Sequence, residues 1–534
     1  MNVNFVCASS FFRVGFRSII LFIAIAASQA YPESWTPVES DVFFMYGQRN
    51  ISVYTQFRAT MVAWGMFSGQ SGISWVRKMG VRTTGAFWCL SPGSADVCRD
   101  RSLTNGLVRD IEGKPIVVPW LSDDRTGNCR GWWGCVNTTA FSAWLQGKLE
   151  KESEFKPDGM HIDDPVGGTF ESLTAGGCYC GDCMKKFSDW LEKRGDNKVL
   201  SRTGVRSFRE FDYRNLVRAV AGTRAETVRR RDSLPLRREF EEFQLECSVS
   251  NFKRLSREAR MRLGTNSSLS ANLYFSDYGD DNLALAPYIT HIVCEVPQMA
   301  GHGTGSLIQP LKAYRQADAI GRKMAATAIG DDWARIKDRG QVNLVKIWIA
   351  LAYSCGQFFM VPDPEHQWCH DQARGTFWYQ APPEEFAPLY RFIRMNRTLF
   401  DGFETVGPLA APSFRSNSFL EASTRQALKI ALSKGDPRPL SAADGTVWVF
   451  PRWKDGAFVV HLLNLDYDSD SDRFKKKKNL KIELPSVLVP ENFSKAVLRS
   501  FALKKPVTVK MTRENGTVSF EIPVLSLWSV VEFR

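Results

Sequence analysis

The chain has 534 residues, of which 44% are hydrophobic and 24% are charged, and its formal net charge is +12 at pH 7. This composition excludes a disordered chain, and the length predicts two or three folded domains with a large core. A basic excess attracts polyanions, but Arg and Glu alternate in segments such as LRREFEEF (236–243), which is typical of solvated helices. We therefore expect no nucleic-acid partner.

The first thirty residues have the pattern of a secretion signal. Arg13 and Arg17 precede the apolar run SIILFIAIAA (18–27), and Ser28 and Ala30 supply the small residues of a cleavage site. The run is shorter than the roughly 20 residues that span a bilayer. It predicts a secreted or periplasmic protein without a membrane segment after cleavage; an uncleaved membrane anchor is the alternative.

Short apolar runs alternate with amphipathic segments from about residue 59 to residue 400. Eight runs separated by helical patterns predict a (β/α)₈ TIM barrel, and therefore an α/β fold. A doubly wound open sheet is the alternative, but its Gly-rich dinucleotide turn is represented only by the weak GQSG (69–72). The predicted strands cover residues 59–67, 81–88, 114–121, 158–164, 268–275, 289–296, 323–330 and 356–363.

After residue 440 the pattern changes to short alternating runs with Gly, Pro and Asp at the turns, as in TVWVFPRW (446–453) and TVSFEIP (517–523). This pattern predicts a C-terminal antiparallel β-sandwich. The predicted organisation is a signal peptide (1–30), a catalytic barrel (31–405), a connector (406–440) and the sandwich (441–534).

Carboxylates end several of the apolar runs. In a TIM barrel the residues that do chemistry lie at the C-terminal ends of the strands, and glycoside hydrolysis needs two carboxyl groups there. A single Asp at a strand end is more often a helix N-cap. The adjacent carboxylates of Asp163 and Asp164 repel each other, however, and the Pro165 that follows them favours a loop over the start of a helix. The candidate carboxylates are Asp163, Asp164, Glu295, Asp331 and Asp363.

Aromatic and histidine side chains follow the same predicted strand ends. Flat rings stack on sugar faces, although each Trp can equally pack in a core, and the Gly-rich turn around His302 can be a simple loop. The candidate substrate-binding residues, with Asp331 and Asp363, are His161, His302, Trp88, Trp120, Trp133 and Trp368.

The segment DGMHIDDP (158–165) resembles the strand end DG-x-H/R-x-D of several glycoside-hydrolase barrels, both amylase-like enzymes and uncharacterised glycosyl-hydrolase-like families. The resemblance implies that Asp163 is the nucleophile on the fourth strand. Asp164 is the alternative, because adjacent side chains of a strand point to opposite faces. Such barrels commonly take the acid/base from the fifth or sixth strand, where Glu295 is the acidic residue available.

The segment CYCGDCMKKFSDWLEKRG (178–195) resembles the CxCxxC segment of glycoside hydrolase family 42, the β-galactosidases. In that family the three cysteines bind a structural zinc with a fourth cysteine some forty residues earlier. The resemblance implies a closed zinc site formed by Cys135, Cys178, Cys180 and Cys183, and no organic cofactor. Disulfides are the alternative in an exported protein, and the spacings of Cys89 with Cys98 and of Cys129 with Cys135 allow them.

The likeness to family 42 ends at its acid/base, a Glu that follows an Asn at the end of the fourth strand. This chain contains no Asn-Glu dipeptide and has Asp163-Asp164 at that place. The shared feature is therefore the cysteine segment, and the chemistry is expected to differ.

These observations favour an exported glycoside hydrolase that cleaves an oligo- or polysaccharide. Asp163 is expected to be the nucleophile of a retaining enzyme and Glu295 the acid/base, unless the carboxyl groups stand about 6.5–9.5 Å apart, as in inverting enzymes. The alternatives are a non-catalytic carbohydrate-binding barrel and a zinc-dependent hydrolase. The basic charge is compatible with an anionic glycan, and oligomer formation stays open.

Overall fold

The computed structural model describes residues 35–65, 69–89, 92–118, 131–165, 174–195, 197–204, 206–273, 284–297, 299–300, 306–365, 369–371, 376–377, 380–405, 440–441 and 446–534. The signal peptide, Trp120, His302, Trp368 and Cys129 lie outside these ranges, as does the connector except for Leu440. The side chain of Trp88 also lies outside the description.

Eight parallel strands form one sheet in chain order. The sheet closes through a parallel bridge between Phe44 and Val361, and Val361 N donates to the carbonyl of Phe43 at 2.7 Å. The structure therefore confirms the predicted TIM barrel. The strands are Phe43–Phe44, Met61–Val62, Arg82–Trp88, Gly159–Asp163, Ser268–Asn272, His291–Val296, Lys323–Ala328 and Phe358–Phe359 (β1 to β8).

Two of the strand predictions need correction. The first barrel strand, Phe43–Phe44, precedes every predicted run, and residues 114–118, the described part of the run 114–121, contribute no barrel strand. Val117 instead bridges antiparallel to Trp132, and Ile116 receives the N–H of Trp133 at 3.0 Å. Ile116 and Val118 of this run are buried outside the barrel, and burial alone does not distinguish the two locations. The prediction thus missed the first barrel strand and counted one segment that is not a barrel strand. The two errors cancel in the numbering, so the fourth to eighth predicted runs correspond to the fourth to eighth strands.

Helices surround the barrel and fill its long insertions. Thr138 caps the helix Thr139–Glu154 by accepting the N–H of Phe141, and Gly195 ends Gly181–Arg194 in the left-handed region (φ 60°). Within the described ranges, no helix has both the length and the apolarity needed to cross a membrane. The helices are Ile51–Phe57, Gly69–Arg77, Ser94–Arg99, Thr139–Glu154, Gly181–Arg194, Asn197–Thr203, Tyr213–Arg218, Arg224–Arg229, Arg237–Leu263, Ile308–Ala319, Gly330–Arg339, Val342–Ser354 and Pro383–Met395 (α1 to α13).

The segments after β3 and β4 share a second hydrophobic core beside the barrel core. Val108 and Ile116 from the first segment pack with Phe187 and Tyr213 from the second. The long helix α9 joins the two cores, because Phe240 and Phe243 near its beginning belong to the second core while Phe252 and Leu255 belong to the barrel core. A small folded unit is thus attached at the C-terminal ends of β3 and β4.

The C-terminal region is an antiparallel β-sandwich, as predicted. One sheet joins, in this order, Glu404–Thr405, Val447–Lys454, Ala457–Asn464, Trp528–Phe533, Ala496–Arg499 and Val507–Val509, with Leu440–Ser441 on Val447–Lys454, and a second joins Lys477–Pro485, Thr517–Leu525 and Met511–Glu514. Trp528 and His461 contact Phe400, which follows the last barrel helix, so the sandwich packs directly on the barrel. The strands after β8 are Cys369–Asp371, Thr376–Phe377, Glu404–Thr405, Leu440–Ser441, Val447–Lys454, Ala457–Asn464, Tyr467–Asp468, Arg473–Phe474, Lys477–Pro485, Ala496–Arg499, Val507–Val509, Met511–Glu514, Thr517–Leu525 and Trp528–Phe533 (β9 to β22).

Candidate active site

Asp163, Asn272 and Glu295 meet at the C-terminal ends of β4, β5 and β6. The amide nitrogen of Asn272 donates to Asp163 Oδ1 at 3.1 Å and to Glu295 Oε2 at 3.4 Å. One nitrogen within hydrogen-bond reach of both oxygens limits their separation to the sum of the two distances, about 6.5 Å. The structure therefore brings together the two carboxylates predicted as a pair, around a residue that the sequence analysis did not select.

The two carboxylates have different surroundings. Asp163 is 5% exposed, and Glu295 is partly exposed. Burial, and after it the negative charge of Asp163, raises the pKa of Glu295 to about 7, while the hydrogen bond from Asn272 opposes this shift. Near neutral pH, Glu295 therefore still carries a proton in a large part of the molecules, as a general acid must.

His161 lies one pleat below Asp163 on the same face of β4. It is fully buried, its Nδ1 pairs with Ser270 Oγ at 3.0 Å, and its ring lies 4.6 Å from that of Trp64. Burial, and then the charge of His291, lowers the pKa of His161 to about 3, so the ring is neutral. The ring of His161 therefore belongs to the layer beneath the carboxylates, and its predicted role at the site, contacting substrate or orienting Asp163, stays a prediction.

Two aromatic residues follow the first two strands at the end of the barrel that carries the pair. Tyr46 and Trp64 are 7% and 8% exposed, and their ring centroids are 6.4 Å apart. Burial and the charges of Glu295 and Asp163 raise the pKa of Tyr46 well above its ordinary value, so its phenol stays protonated. The sequence analysis missed both residues, although each ends an apolar run, DVFFMY (41–46) and MVAW (61–64).

The loop that follows Glu295 is held by a buried carboxylate. Asp332, 1% exposed at the start of α11, accepts the backbone N–H groups of Met299 and Ala300 at 2.9 and 3.0 Å. Asp331, the neighbour predicted to bind substrate, is exposed in the first turn of the same helix. Of the two adjacent aspartates, Asp332 and not Asp331 therefore holds the loop that follows Glu295.

Carboxylates also join the ends of β8 and β1. Asp363 Oδ2 accepts a hydrogen bond from Gln48 Nε2 at 3.1 Å, and its Oδ1 accepts the N–H of Glu365 at 2.9 Å. The carboxylate of Glu365 in turn accepts the N–H of Asn50 at 2.8 Å. Asp363, which we predicted to bind substrate, thus helps to hold the segment that carries Tyr46.

The remaining predicted residues are placed as follows. Trp133 is 1% exposed in the second core, so its ring is not available for stacking on a sugar, which corrects that prediction. Asp164 follows Asp163 in the left-handed region (φ 44°) and is partly exposed, so the chain turns sharply there.

Four buried cysteines form a cluster in the second core. The Sγ atoms of Cys135, Cys178, Cys180 and Cys183 all lie within 4.8 Å of one another. Cys183 Sγ also accepts hydrogen bonds from the side-chain amides of Asn137 and Gln244, at 3.3 and 3.5 Å. The four cysteines that the resemblance grouped are therefore adjacent in the fold.

The sulfur geometry fits a tetrahedral metal site better than disulfides. Cys135 Sγ is 3.7 Å from that of Cys180 and 3.4 Å from that of Cys183. A disulfide requires about 2.05 Å, whereas four Zn–S bonds of about 2.3 Å place the sulfurs about 3.8 Å apart. Cys89 and Cys98, the alternative disulfide pair, are both free thiols.

Comparison with known proteins starts from the sequence. No family model matches the chain. An α-agarase of Alteromonas agarilytica is 20% identical over 306 residues, which cover 55% of this chain and 21% of that protein. The chain thus spans about a fifth of the length of the curated relative that it matches.

Solved structures share the barrel-and-sandwich fold. The alpha-L-fucosidase isoenzyme 2 from Paenibacillus thiaminolyticus matches with a TM-score of 0.58 and 10% identity, covering 92% of this chain and 99% of its own. A cycloisomaltooligosaccharide glucanotransferase from Paenibacillus sp. matches with a TM-score of 0.53 and 10% identity, covering 93% and 85%. By name, these proteins are carbohydrate-active enzymes, and at these identities the likeness shows the fold.

Proposed function

We propose that this protein is an exported glycoside hydrolase whose catalytic pair is Asp163 and Glu295. The observation that carries the proposal is the shared hydrogen-bond donor: Asn272 holds one oxygen of each carboxylate within about 6.5 Å of the other. About 6.5 Å is an upper limit that only reaches the lower end of the range of about 6.5–9.5 Å for inverting enzymes, whereas the shorter separations that it allows include the about 5–5.5 Å of retaining ones. A retaining mechanism is therefore the better fit.

In this mechanism Glu295 protonates the glycosidic oxygen of the leaving group, which the raised pKa of Glu295 allows near neutral pH. Asp163 attacks the anomeric carbon, so the bond to the leaving oxygen breaks as a glycosyl-enzyme ester forms. Glu295, now a carboxylate, removes a proton from water, and the hydroxyl attacks the same carbon and releases Asp163. Asp164 is the alternative nucleophile.

The first substrate to test is agarose, because the curated relative is named an α-agarase. The net charge of +12 also supports anionic polysaccharides as a second group. A panel of neutral, uronic and sulfated polysaccharides, read out by the release of reducing ends, covers both. Secretion, which the pattern of residues 1–30 supports, would place the enzyme where such polymers occur.

The cysteine cluster is proposed to hold a structural zinc ion. Four thiolates fill a tetrahedral shell and leave no open position for substrate or water. The cluster lies in the second core, and its ligands come from the segments after β3 and β4. A zinc ion there would stabilise the unit that borders the catalytic end of the barrel.

The direct test is the pair of variants Asp163→Asn and Glu295→Gln, assayed on the panel. Each is expected to reduce turnover by about 10³-fold or more while substrate binding persists. The exposed sandwich residues Asp455 and Glu491 provide the matched controls Asp455→Asn and Glu491→Gln, which should retain full activity. Full hydrolysis by both active-site variants would overturn the proposal. A wild-type protein that binds a polysaccharide of the panel without cleaving any would favour the carbohydrate-binding barrel.

A further inference from the structure

The geometry points to Asn272 as the positioning residue of the catalytic pair. We infer that its amide holds Asp163 and Glu295 at their working separation and directs negative charge to Asp163. The inference rests on the proposed function and extends it to a residue that contacts both carboxylates. Asn272 is expected to act through these two groups.

The location of Asn272 suits this role. It is the last residue of β5, the strand between β4, which carries Asp163, and β6, which carries Glu295. A side-chain amide has two N–H donors, and the nitrogen of Asn272 directs one to each carboxylate, at 3.1 and 3.4 Å. A residue on the intervening strand can therefore fix the spacing of groups on both neighbours.

The chemistry of the amide explains why a neutral donor suits this place. An Arg or Lys between two carboxylates would favour the ionised form of both and remove the acid. A third carboxylate would raise the pKa of both and remove the nucleophile. The amide supports one anion without adding charge, and its shorter hydrogen bond goes to Asp163.

Within the part of the chain that the structure describes, the histidine beneath Asp163 supplies no positive charge that could take over this role. His161 is buried under Asp163, its Nδ1 pairs with Ser270, and the ring is neutral because burial lowers its pKa. The division of charge between Asp163 and Glu295 is thus expected to depend on hydrogen bonding from Asn272.

The test compares Asn272→Ala with a matched control in the sandwich. Asn464 is buried, and its amide nitrogen likewise donates two hydrogen bonds, to the carbonyls of Lys475 (3.0 Å) and Ser526 (2.6 Å). Infrared spectroscopy needs no substrate, and it follows, as the pH is raised, the band of the protonated carboxyl group that remains above pH 6. Glu295→Gln identifies the band, since that variant should lack it.

In Asn272→Ala, the upper apparent pKa of the pair should rise by about one unit, because the hydrogen bond that opposes the shift is lost. On agarose, or on whichever polysaccharide of the panel is cleaved fastest, kcat should fall about 100-fold with a smaller change in KM. Asn464→Ala should leave both the titration and kcat unchanged. Asn272→Ser, which keeps one donor, should be intermediate, and it carries the test if the Ala variant does not fold.

A wild-type titration and wild-type kcat in folded Asn272→Ala or Asn272→Ser would overturn the inference. If Glu295→Gln abolishes hydrolysis in the same experiments, the proposed function survives that result. If Glu295→Gln remains fully active, the proposed function itself fails. A general loss of stability in both Asn variants without a change in titration would assign Asn272 a purely structural role.

Discussion

Asp163 lies close enough to Glu295 for its negative charge to add to the effect of burial and raise the pKa of Glu295 to about 7. The two residues come from strands β4 and β6, which are separated by one strand in the barrel. The interaction lets Glu295 keep its proton to a higher pH than an ordinary Glu, as the acid of a carboxylate pair requires.

The pH dependence of hydrolysis should follow from this difference. Because Glu295 must be protonated to act as the acid, kcat/KM should fall as the pH rises through about 7. The measurement is kcat/KM from pH 4 to pH 9 on a polysaccharide that the enzyme cleaves. An activity that stays constant to pH 9 would contradict the assignment of Glu295 as the acid.

The stability of the protein should also report on Glu295. The pKa in the folded state, about 7, is above the ordinary value of 4.5, so the folded protein binds more protons between these values and loses stability as the pH rises through this window. Gln does not titrate. The free energy of unfolding of Glu295→Gln should therefore rise by about 2–3 kcal/mol relative to that of the wild type when the pH is raised from 4 to 8. A value near the lower figure is expected because water reaches part of the Glu295 side chain. Urea unfolding at both pH values measures this gain, and Glu491→Gln should show none.

Loss of one sulfur should remove the metal from the cysteine cluster. Cys183→Ser is expected to lower the bound zinc from about one ion per chain to a small fraction, and to reduce the melting temperature, because structural zinc stabilises folding by several kcal/mol. Elemental analysis and thermal unfolding measure both effects. Cys98→Ser, at an exposed free thiol, is the control and should change neither.

Chelation distinguishes a structural zinc from a catalytic one. With a structural ion, activity should be lost together with the fold of the second core as zinc is removed. Full loss of activity in a protein that keeps its wild-type melting temperature would contradict the structural role and support a zinc-dependent hydrolase.

Gly159 at the start of β4 approaches β5 too closely for a side chain. A Cβ atom at this position would lie 2.0 Å from Ser268 Oγ and 2.6 Å from the backbone oxygen of Ser268. Gly159→Ala should therefore destabilise the protein by about 1–3 kcal/mol and reduce activity by displacing the strand that carries Asp163. Denaturant unfolding and the hydrolysis assay test both effects. Gly147, in helix α4 with open space around its Cβ position, provides the control Gly147→Ala, which should be neutral or slightly stabilising.

Local patterns in the sequence were sufficient to predict the architecture. The alternation of apolar runs with amphipathic segments placed seven of the eight barrel strands, from Met61–Val62 and Arg82–Trp88 onwards, because strand and helix periodicities are local properties of the chain. The same reasoning failed for the run 114–121. Ile116 and Val118 of this run are buried in the second core, and a hydrophobic pattern does not specify which core will bury it.

The sequence by itself determined which carboxylates end strands, and therefore that Asp163 and Glu295 were candidates for one site. It also determined the spacing of three of the four cysteines. Only the tertiary structure decided that Asn272 contacts both carboxylates and that His161 and Trp133 are buried. The physical reason is that strand ends are recognisable from short-range periodicity, whereas hydrogen bonds between strands and the burial of single rings depend on the register and packing of segments far apart in the chain.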